Sequence, residues 1–299
     1  MKATLLPDRG VVEVFGGEAR HFLHGLLTAD IDTMTEATPR FAALLTPQGK
    51  IVVDMLVVRA EGAQGEHYLL DCPGALAETL AAKLSFYKLR AKITVADLSA
   101  TLGVIALWDG DPTPARDRAL ACYADPRLAA LGWRALVPLV LVEDFVRAQG
   151  ADLVEATAYD AQRIGLGIPD GGRDFSYGDA FPHEADMDQL NGVDFSKGCF
   201  VGQEVVSRMQ HRGTARSRVV PVSVDGAAPQ PGAPVDAGKK TVGAMGSAAD
   251  GRGLALLRLD RVRDALAAGM PLTAGEARLH LVKPPWATFP WPGDVKAAE

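Results

Sequence analysis

The chain has 299 residues, of which 48% are hydrophobic and 23% charged, and its net charge at pH 7 is −6. This length predicts roughly two or three domains with ample core, and the composition excludes a disordered, collagen-like or coiled-coil protein. Because the chain is acidic, it is not a general polyanion binder, and contact with nucleic acid would need a local basic patch.

The N-terminal half alternates short strands with amphipathic helices. Apolar side chains recur at helical spacing from Glu18 to Leu27, and the turn TPQG joins two apolar strands. The order of elements over residues 11–97 fits a split βαβ module, and the expected class is α+β with mixed sheets. The predicted strands are Val11–Phe15, Arg40–Leu45, Ile51–Arg59, Tyr68–Asp71, Ile93–Asp97, Leu102–Trp108 and Trp133–Val137, and the predicted helices are Glu18–Leu27, Pro73–Leu84 and Glu143–Gln149.

The second half of the chain changes character after Ala158. Residues 165–194 are rich in Gly, Pro and Asp, which predicts a long ordered loop region, and Asp109–Arg118 is expected to be a polar loop leading into a short helix. From Arg218 to Val282, short strands and one helix near Arg258–Ala268 predict a small β-barrel. We assign residues 1–98 to a first α+β module, 99–215 to a second module interleaved with it, 216–284 to the barrel and 285–299 to a tail.

The three cysteines, Cys72, Cys122 and Cys199, are too widely spaced for a disulfide framework or a CxxC metal site. The first ten residues lack the apolar segment of a secretory signal. The apolar stretch at 135–142 is interrupted by Pro138 and is too short to span a membrane. We therefore expect a cytoplasmic protein with no membrane partner.

The segment richest in functional groups lies just before the barrel. Gly198 and Gly202 flank Cys199, a helix is predicted over Gln203–Gln210, and Lys197 precedes the cysteine by two residues. A helix N-terminus and a nearby cation both favour a thiolate, so Cys199 is a candidate reactive or ligand thiol. The alternative is that it is a small buried side chain before a helix.

Four arginines follow within eleven residues of one another, with no acidic residue between them: Arg208, Arg212, Arg216 and Arg218. They form a local positive patch that suits carboxylates or phosphates, and a solvated surface is the alternative. Glu204 and Arg208 are spaced as an i,i+4 ion pair on the predicted helix.

Other patterns carry less information. Asp54 stands in an otherwise apolar strand, which predicts a carboxylate that is paired or lies at a cavity. His21 and His24 have no third ligand at a suitable spacing, so they are interpreted as surface or half-buried side chains, and no metal site is predicted. The sequence GLGIPDGG at 165–172 does not match a dinucleotide-binding fingerprint.

Several motifs together resemble one family. KGCFVGQEVVSR at 197–208 closely resembles the signature of the YgfZ family of folate-binding proteins, which are relatives of the glycine-cleavage aminomethyltransferases. FLHGLLTADI at 22–31, LLTPQGKIVVD at 44–54, YDAQRIGLGIP at 159–169 and FPHEADMDQLNGVDF at 181–195 resemble other stretches of that family. The resemblance covers nearly the whole chain.

The resemblance implies two α+β modules and a barrel around a central cavity that holds tetrahydrofolate or a derivative. It also implies an accessory role in the assembly or maintenance of iron–sulfur clusters, notably in tRNA-modifying enzymes, with iron–sulfur proteins or cluster carriers as transient partners. Three scattered cysteines cannot supply the four thiolates that a cluster normally needs, so cluster contact would be shared with a partner. Direct RNA contact through the arginines is a further hypothesis, which the acidic total charge disfavours.

The resemblance also assigns site residues. Glu184 falls at the glutamate that meets the pteridine ring, where a carboxylate can accept two N–H bonds from the edge of a pterin. Val53 replaces the first of two adjacent aspartates of the aminomethyltransferases, which argues against aminomethyl transfer and against an enzyme. The alternative function is a folate-dependent one-carbon transferase or demethylase. The other candidate folate-site residues are Asp54, Lys197, Gly198, Phe200, Gly202, Gln203, Glu204 and Arg208, with Cys199 as the functional thiol.

Overall fold

The structure, a computed structural model, describes residues 1–62, 65–112, 118–213 and 215–294. The chain divides into two compact units, each formed by two segments. The first unit comprises Met1–Tyr159 and Leu190–Gln203, and the second comprises Asp160–Gln189 and Glu204–Glu299. The module boundaries expected after residues 98, 215 and 284 stay predictions.

The secondary structure begins with β1 (Lys2–Leu5), β2 (Arg9–Phe15), α1 (Ala19–Leu26), β3 (Arg40–Leu45), β4 (Ile51–Gly62), β5 (Gly65–Pro73), α2 (Gly74–Tyr87), β6 (Thr94–Asp97) and β7 (Leu102–Trp108). It continues with β8 (Ala121–Ala124), β9 (Trp133–Pro138), α3 (Val142–Ala148), β10 (Asp152–Leu153), α4 (Ala156–Leu166) and α5 (Gln203–Arg212). The C-terminal elements are β11 (Ser217–Asp225), β12 (Pro234–Ala237), β13 (Lys240–Ala249), β14 (Arg252–Arg258), α6 (Leu259–Ala267), β15 (Leu272–Ala274) and β16 (Ala277–Leu281).

The first unit contains an antiparallel sheet of order β3-β4-β5-β2-β6. Val53, Met55 and Val57 alternate along β4, so they face one side of the sheet and pack in the core that includes Leu23 of α1 and Leu27 just after it. The split βαβ module predicted for this region is wrong. That motif has four strands, whereas β5 here forms a full strand between β4 and β2 and makes a sheet of five.

A second sheet in the same unit has the order β10-β1-β7-β9-β8. It is mixed, as expected, because β1 pairs parallel with β10 and antiparallel with β7. Ile105 of β7 and Val137 of β9 pack in a core with Phe145 of α3. β1, β8 and β10 were not predicted, because these strands have two to four residues and show too little alternation in the sequence.

Buried charges join the two sheets. The fully buried carboxylate of Asp71 on β5 accepts hydrogen bonds from Arg9 Nε at 2.6 Å, Arg134 Nη1 on β9 at 2.7 Å and the Tyr123 hydroxyl on β8 at 3.2 Å. Burial raises the pKa of Asp71, but the guanidiniums of Arg9 and Arg134 outweigh burial and hold that pKa below its usual range. The pairing keeps Asp71 ionised between the sheets.

The second unit contains a closed barrel of order β11-β14-β13-β12-β15-β16, which confirms the predicted C-terminal barrel. Val220 and Leu257 pack inside it with Val262 of α6. Residues 285–294 contain no helix or strand, as expected. Residues 295–299 lie outside the described part of the chain, and so do residues 113–117 of the predicted loop Asp109–Arg118 and short helix. None of the helices in the described ranges combines the length and apolar content needed to cross a membrane.

We expect Asp71→Asn to destabilise the first unit by roughly 3–5 kcal/mol, because it leaves the buried Arg9 without its ion-pair partner and Arg134 with Asp125 as its remaining carboxylate. Denaturant unfolding measures the free energy of unfolding. Asp144→Asn is the control, since Asp144 pairs with Arg147 at an exposed i,i+3 position and should cost less than about 1 kcal/mol. Equal effects of the two substitutions would contradict a structural role for Asp71.

Candidate functional site

The segment 190–203 returns to the first unit and is fixed there by Thr28, just after α1. The buried Thr28 hydroxyl donates to the carbonyl of Gly192 at 2.6 Å and accepts the amide of Ala43 on β3 at 2.8 Å. The Thr28 carbonyl accepts the amide of Asp194 at 2.9 Å. One side chain thus ties the incoming segment to the sheet.

Asp194 then forms the turn that delivers Lys197. Its carboxylate accepts the amides of Ser196 at 2.8 Å and Lys197 at 3.0 Å. These bonds and the Ser196 hydroxyl hold the pKa of Asp194 below its usual value, although burial acts in the opposite direction. Asp194 is therefore an ionised cap for the turn.

Lys197 anchors the turn to the end of α1. Its ammonium donates to the carbonyls of His24, Leu27 and Ala29 at 2.5, 2.6 and 2.9 Å, so each of its three protons has an acceptor. Burial lowers the pKa of Lys197 to about 8, with Asp30 and Asp194 opposing the shift. Lys197 was expected to favour the Cys199 thiolate, but the structure shows an ammonium engaged with the backbone of the α1 end.

Two exposed residues lie between the buried side chains of Lys197 and Phe200. The buried ring of Phe200 lies beneath the ammonium, with a distance of 5.2 Å from Nζ to the ring centroid. Gly198 and Cys199 between them are exposed. The burial of Lys197 and Phe200 on either side therefore presents the Cys199 thiol to solvent, and α5 begins at Gln203 as predicted.

Gly202 lets this loop approach the β3–β4 hairpin. Its φ is +82°, and a Cβ there would lie 2.6 Å from the carbonyl oxygen of Thr46 and 3.1 Å from Cα of Gly49. Both the backbone conformation and the close approach require glycine.

His24 lies beside the loop, which the sequence analysis did not anticipate. Its Nδ1 is 3.2 Å from Oδ1 of Asp30, and its Nε2 is 4.0 Å from where a Cβ on Gly198 would stand. His24 is half-buried, as expected, but its contact with a loop more than 170 residues away leaves no local sequence pattern.

Asp54 lies in the first sheet of the first unit. It lies on β4 between Val53 and Met55, so it faces the side of the sheet that carries Asp71, opposite the side where α1 packs. It is buried and adds to the negative potential at Arg9.

The other candidates lie in the second unit. The half-buried Glu184 accepts the amide of Phe181 through Oε2 at 2.9 Å, and its backbone carbonyl accepts the amide of Val219 on β11. Glu204 and Arg208 are exposed on α5, and the described contacts include no ion pair between them.

The predicted arginine patch divides in two. Arg218 is buried and donates to the carboxylates of Asp186 at 2.9 Å and Asp188 at 2.8 Å, with its guanidinium 4.3 Å from the ring centroid of Phe289. Arg208, Arg212 and Arg216 are exposed. Only the exposed three are placed to meet a solvent-borne anion. Within the described ranges, no group of three or more His, Cys, Asp or Glu could hold a metal ion.

The chain is similar in sequence to mitochondrial iron–sulfur cluster assembly factors. It is 34% identical to the mouse mitochondrial iron–sulfur cluster assembly factor IBA57 over 87% of this chain and 78% of that protein, and 31% identical to the human protein with the same coverage. A homologue from Mycosarcoma maydis is 33% identical over 74% of this chain, which spans only 57% of the length of that relative. Residues 216–289 match the family model of the CAF17 C-terminal beta-barrel domain.

A solved structure agrees with the predicted fold. The glycine cleavage system aminomethyltransferase T from Bartonella henselae matches 97% of this chain and 87% of its own, with a TM-score of 0.74 and 17% sequence identity. The aminomethyltransferase-like α+β fold with a C-terminal barrel is thus confirmed. The prediction of a cytoplasmic protein is wrong, because the curated relatives are mitochondrial proteins.

We expect Cys199 alone to react with a thiol reagent in the native protein at pH 8. Burial raises the pKa of Cys72 to about 12 and that of Cys122 to about 11, so both stay protonated, whereas Cys199 is exposed. Counting modified thiols by mass spectrometry, with urea-unfolded protein as the control in which all three react, tests this. Equal labelling of the three cysteines in the folded protein would refute it.

Proposed function

Because the chain belongs to the IBA57 family of iron–sulfur cluster assembly factors, we propose that it supports cluster assembly by offering Cys199 as one ligand to a cluster shared with a partner protein. The observation that carries this proposal is the exposed thiol on a loop held by Lys197 and Thr28.

The ligand count supports a shared cluster. A cluster normally needs four thiolates, whereas Cys72 is fully buried in the core and Cys122 lies half-buried at the edge of the second sheet. One exposed thiol leaves the remaining ligands to a partner. Iron–sulfur proteins or cluster carriers, bound transiently, fit that description, and tRNA-modifying enzymes are the proposed recipients.

The loop is suited to this role because its backbone is held while its thiol is exposed. A ligand held close to its productive geometry loses less freedom on binding than a mobile one. The tie from Lys197 to three carbonyls supplies that restraint two residues from the thiol.

We also propose that the chain binds tetrahydrofolate or a derivative, with Glu184 at the pterin, as the YgfZ-type resemblance implies. The residues fit the group: one carboxylate oxygen of Glu184 accepts the Phe181 amide, and the described contacts leave Oε1 able to accept N–H groups. A reduced folate would supply one-carbon chemistry when bound. This chain's part would be to accept the pterin N–H groups and orient the ring.

The second candidate function, a folate-dependent one-carbon transferase or demethylase, is less well supported. Val53 stands where the aminomethyltransferases have an aspartate, and its side chain is fully buried in the apolar core beside α1. The chain therefore has no acid or base at that position, and such a group typically contributes about 10²–10⁴-fold to a rate.

We expect Cys199→Ser to fold normally and yet fail to restore iron–sulfur enzyme activities and tRNA thiolation in a deletion strain. Serine keeps the size of the side chain but removes the thiolate ligand. Circular dichroism and the melting temperature check the fold. Cys122→Ser is the matched control and should complement. Full complementation by Cys199→Ser would remove this thiol from the mechanism.

We expect Glu184→Gln to weaken tetrahydrofolate binding by roughly 1.5–3 kcal/mol, since it removes a charge-assisted pair but keeps an acceptor for the Phe181 amide. Isothermal titration calorimetry measures the affinity. Glu276→Gln, on an exposed turn of the barrel, should bind like the unmodified protein. No heat from the unmodified protein at millimolar folate would rule out the folate proposal while leaving the cluster proposal standing.

A further inference from the structure

The end of α2 exposes two large apolar side chains at a tip formed by residues 83–92. Phe86 is 75% and Leu89 85% exposed, and the two are separated by one turn of chain. Single exposed apolar residues are common on protein surfaces, so exposure alone does not identify a binding surface. Backbone conformation and charge at the same tip are what distinguish it.

Leu89 adopts a conformation that leucine seldom takes. Its φ is +45°, in the left-handed region where glycine or asparagine is usual. The turn closes through the amide of Ala91, which donates to the carbonyl of Lys88 at 2.6 Å, a bond that needs no side chain at residue 89. Leu89 thus combines backbone strain with an exposed apolar side chain, and strain of this kind clusters at functional positions.

The tip is strongly basic within an acidic chain. Lys83, Lys88, Arg90 and Lys92 fall within it, and the sequence contains no acidic residue from Thr79 to Ala96. Glu18 contacts the tip from another part of the unit, where its carboxylate accepts the amide of Lys92 at 2.9 Å. Lys83, Arg90 and Lys92 are exposed, so positive charge surrounds the two apolar side chains.

We propose that this tip binds the surface of an anionic phospholipid membrane, with Phe86 and Leu89 inserted among the lipids and the four cations at the headgroups. Aromatic and leucine side chains beside Lys and Arg are typical of segments that lie in the membrane interface. Three of the four cations are lysines, which are depleted in protein–protein interfaces but are attracted to anionic lipid without fixed geometry.

The small apolar area also favours lipid over protein. A stable protein interface buries roughly 800 Å² on each partner, whereas this tip offers two large apolar side chains. Binding to a membrane surface requires only that these two side chains insert among the lipids and that the cations are attracted to anionic headgroups. The sequence-based expectation of no membrane partner rested on the lack of a spanning segment, and surface binding does not require one.

Co-sedimentation of the full chain with vesicles tests the proposal. We expect binding to vesicles of equal parts phosphatidylcholine and phosphatidylglycerol at low salt, weakened by added salt, and none to phosphatidylcholine alone. Arg90→Gln with Lys92→Gln should weaken binding about 25-fold, at roughly fivefold for each cation. Leu89→Gly should weaken it roughly tenfold or more.

The same glycine variant separates function from folding. Because glycine adopts positive φ without strain, Leu89→Gly should keep or raise the melting temperature while binding falls. Val140→Ser is the matched control, since Val140 is 89% exposed but has Glu143 and Asp144 nearby in place of cations, and it should bind normally. Unchanged binding by Leu89→Gly, or equal binding to both vesicles, would overturn the proposal. Absence of binding to either would also overturn it and point to an acidic protein surface as the occupant.

Discussion

Three backbone carbonyls at the end of α1 converge on the ammonium of Lys197, and the position of the Cys199 loop follows from this contact. The last carbonyls of a helix accept no hydrogen bond from within the helix. A cation beside them is also favoured by the helix dipole. Burying a lysine is costly unless every proton is bonded, and here each one is. Lys197 and Phe200 face inward, so the glycine and cysteine between them face solvent.

The first unit also buries the charge of Asp71, which has a different structural effect. Asp71 neutralises two arginines through direct ion pairs and so joins two sheets, whereas Lys197 donates to three backbone carbonyls and fixes a loop. Asp54 belongs with the first arrangement, since its carboxylate adds to the negative potential that raises the pKa of Arg9 against the effect of burial. The acid that stands out in an apolar strand of the sequence therefore lies within the electrostatic reach of Arg9.

Local patterns identified most of the fold, but not the tertiary contacts that hold the candidate site. Alternation in β3 and β4, the apolar face of α1 and the turn-rich barrel segment were visible because each depends on neighbours in sequence. The anchoring of Lys197, the approach of His24 and the burial of Arg218 were not, since their partners lie between 30 and 174 residues away. The four arginines looked equivalent in sequence, and only tertiary contacts separate the ion-paired Arg218 from the exposed three.

The distribution of the three thiols bears on how a cluster would be passed on under the proposed function. Burial raises the pKa of Cys72 and Cys122 to about 12 and 11, which keeps both protonated and unavailable as ligands at neutral pH. A chain with a single available thiolate cannot retain a four-ligand cluster after its partner departs. In this proposal the loop held by Lys197 presents that ligand in a fixed position, and the contact is reversible because neither of the other two thiols is exposed. These two properties together suit a factor that assists transfer and does not store its cargo.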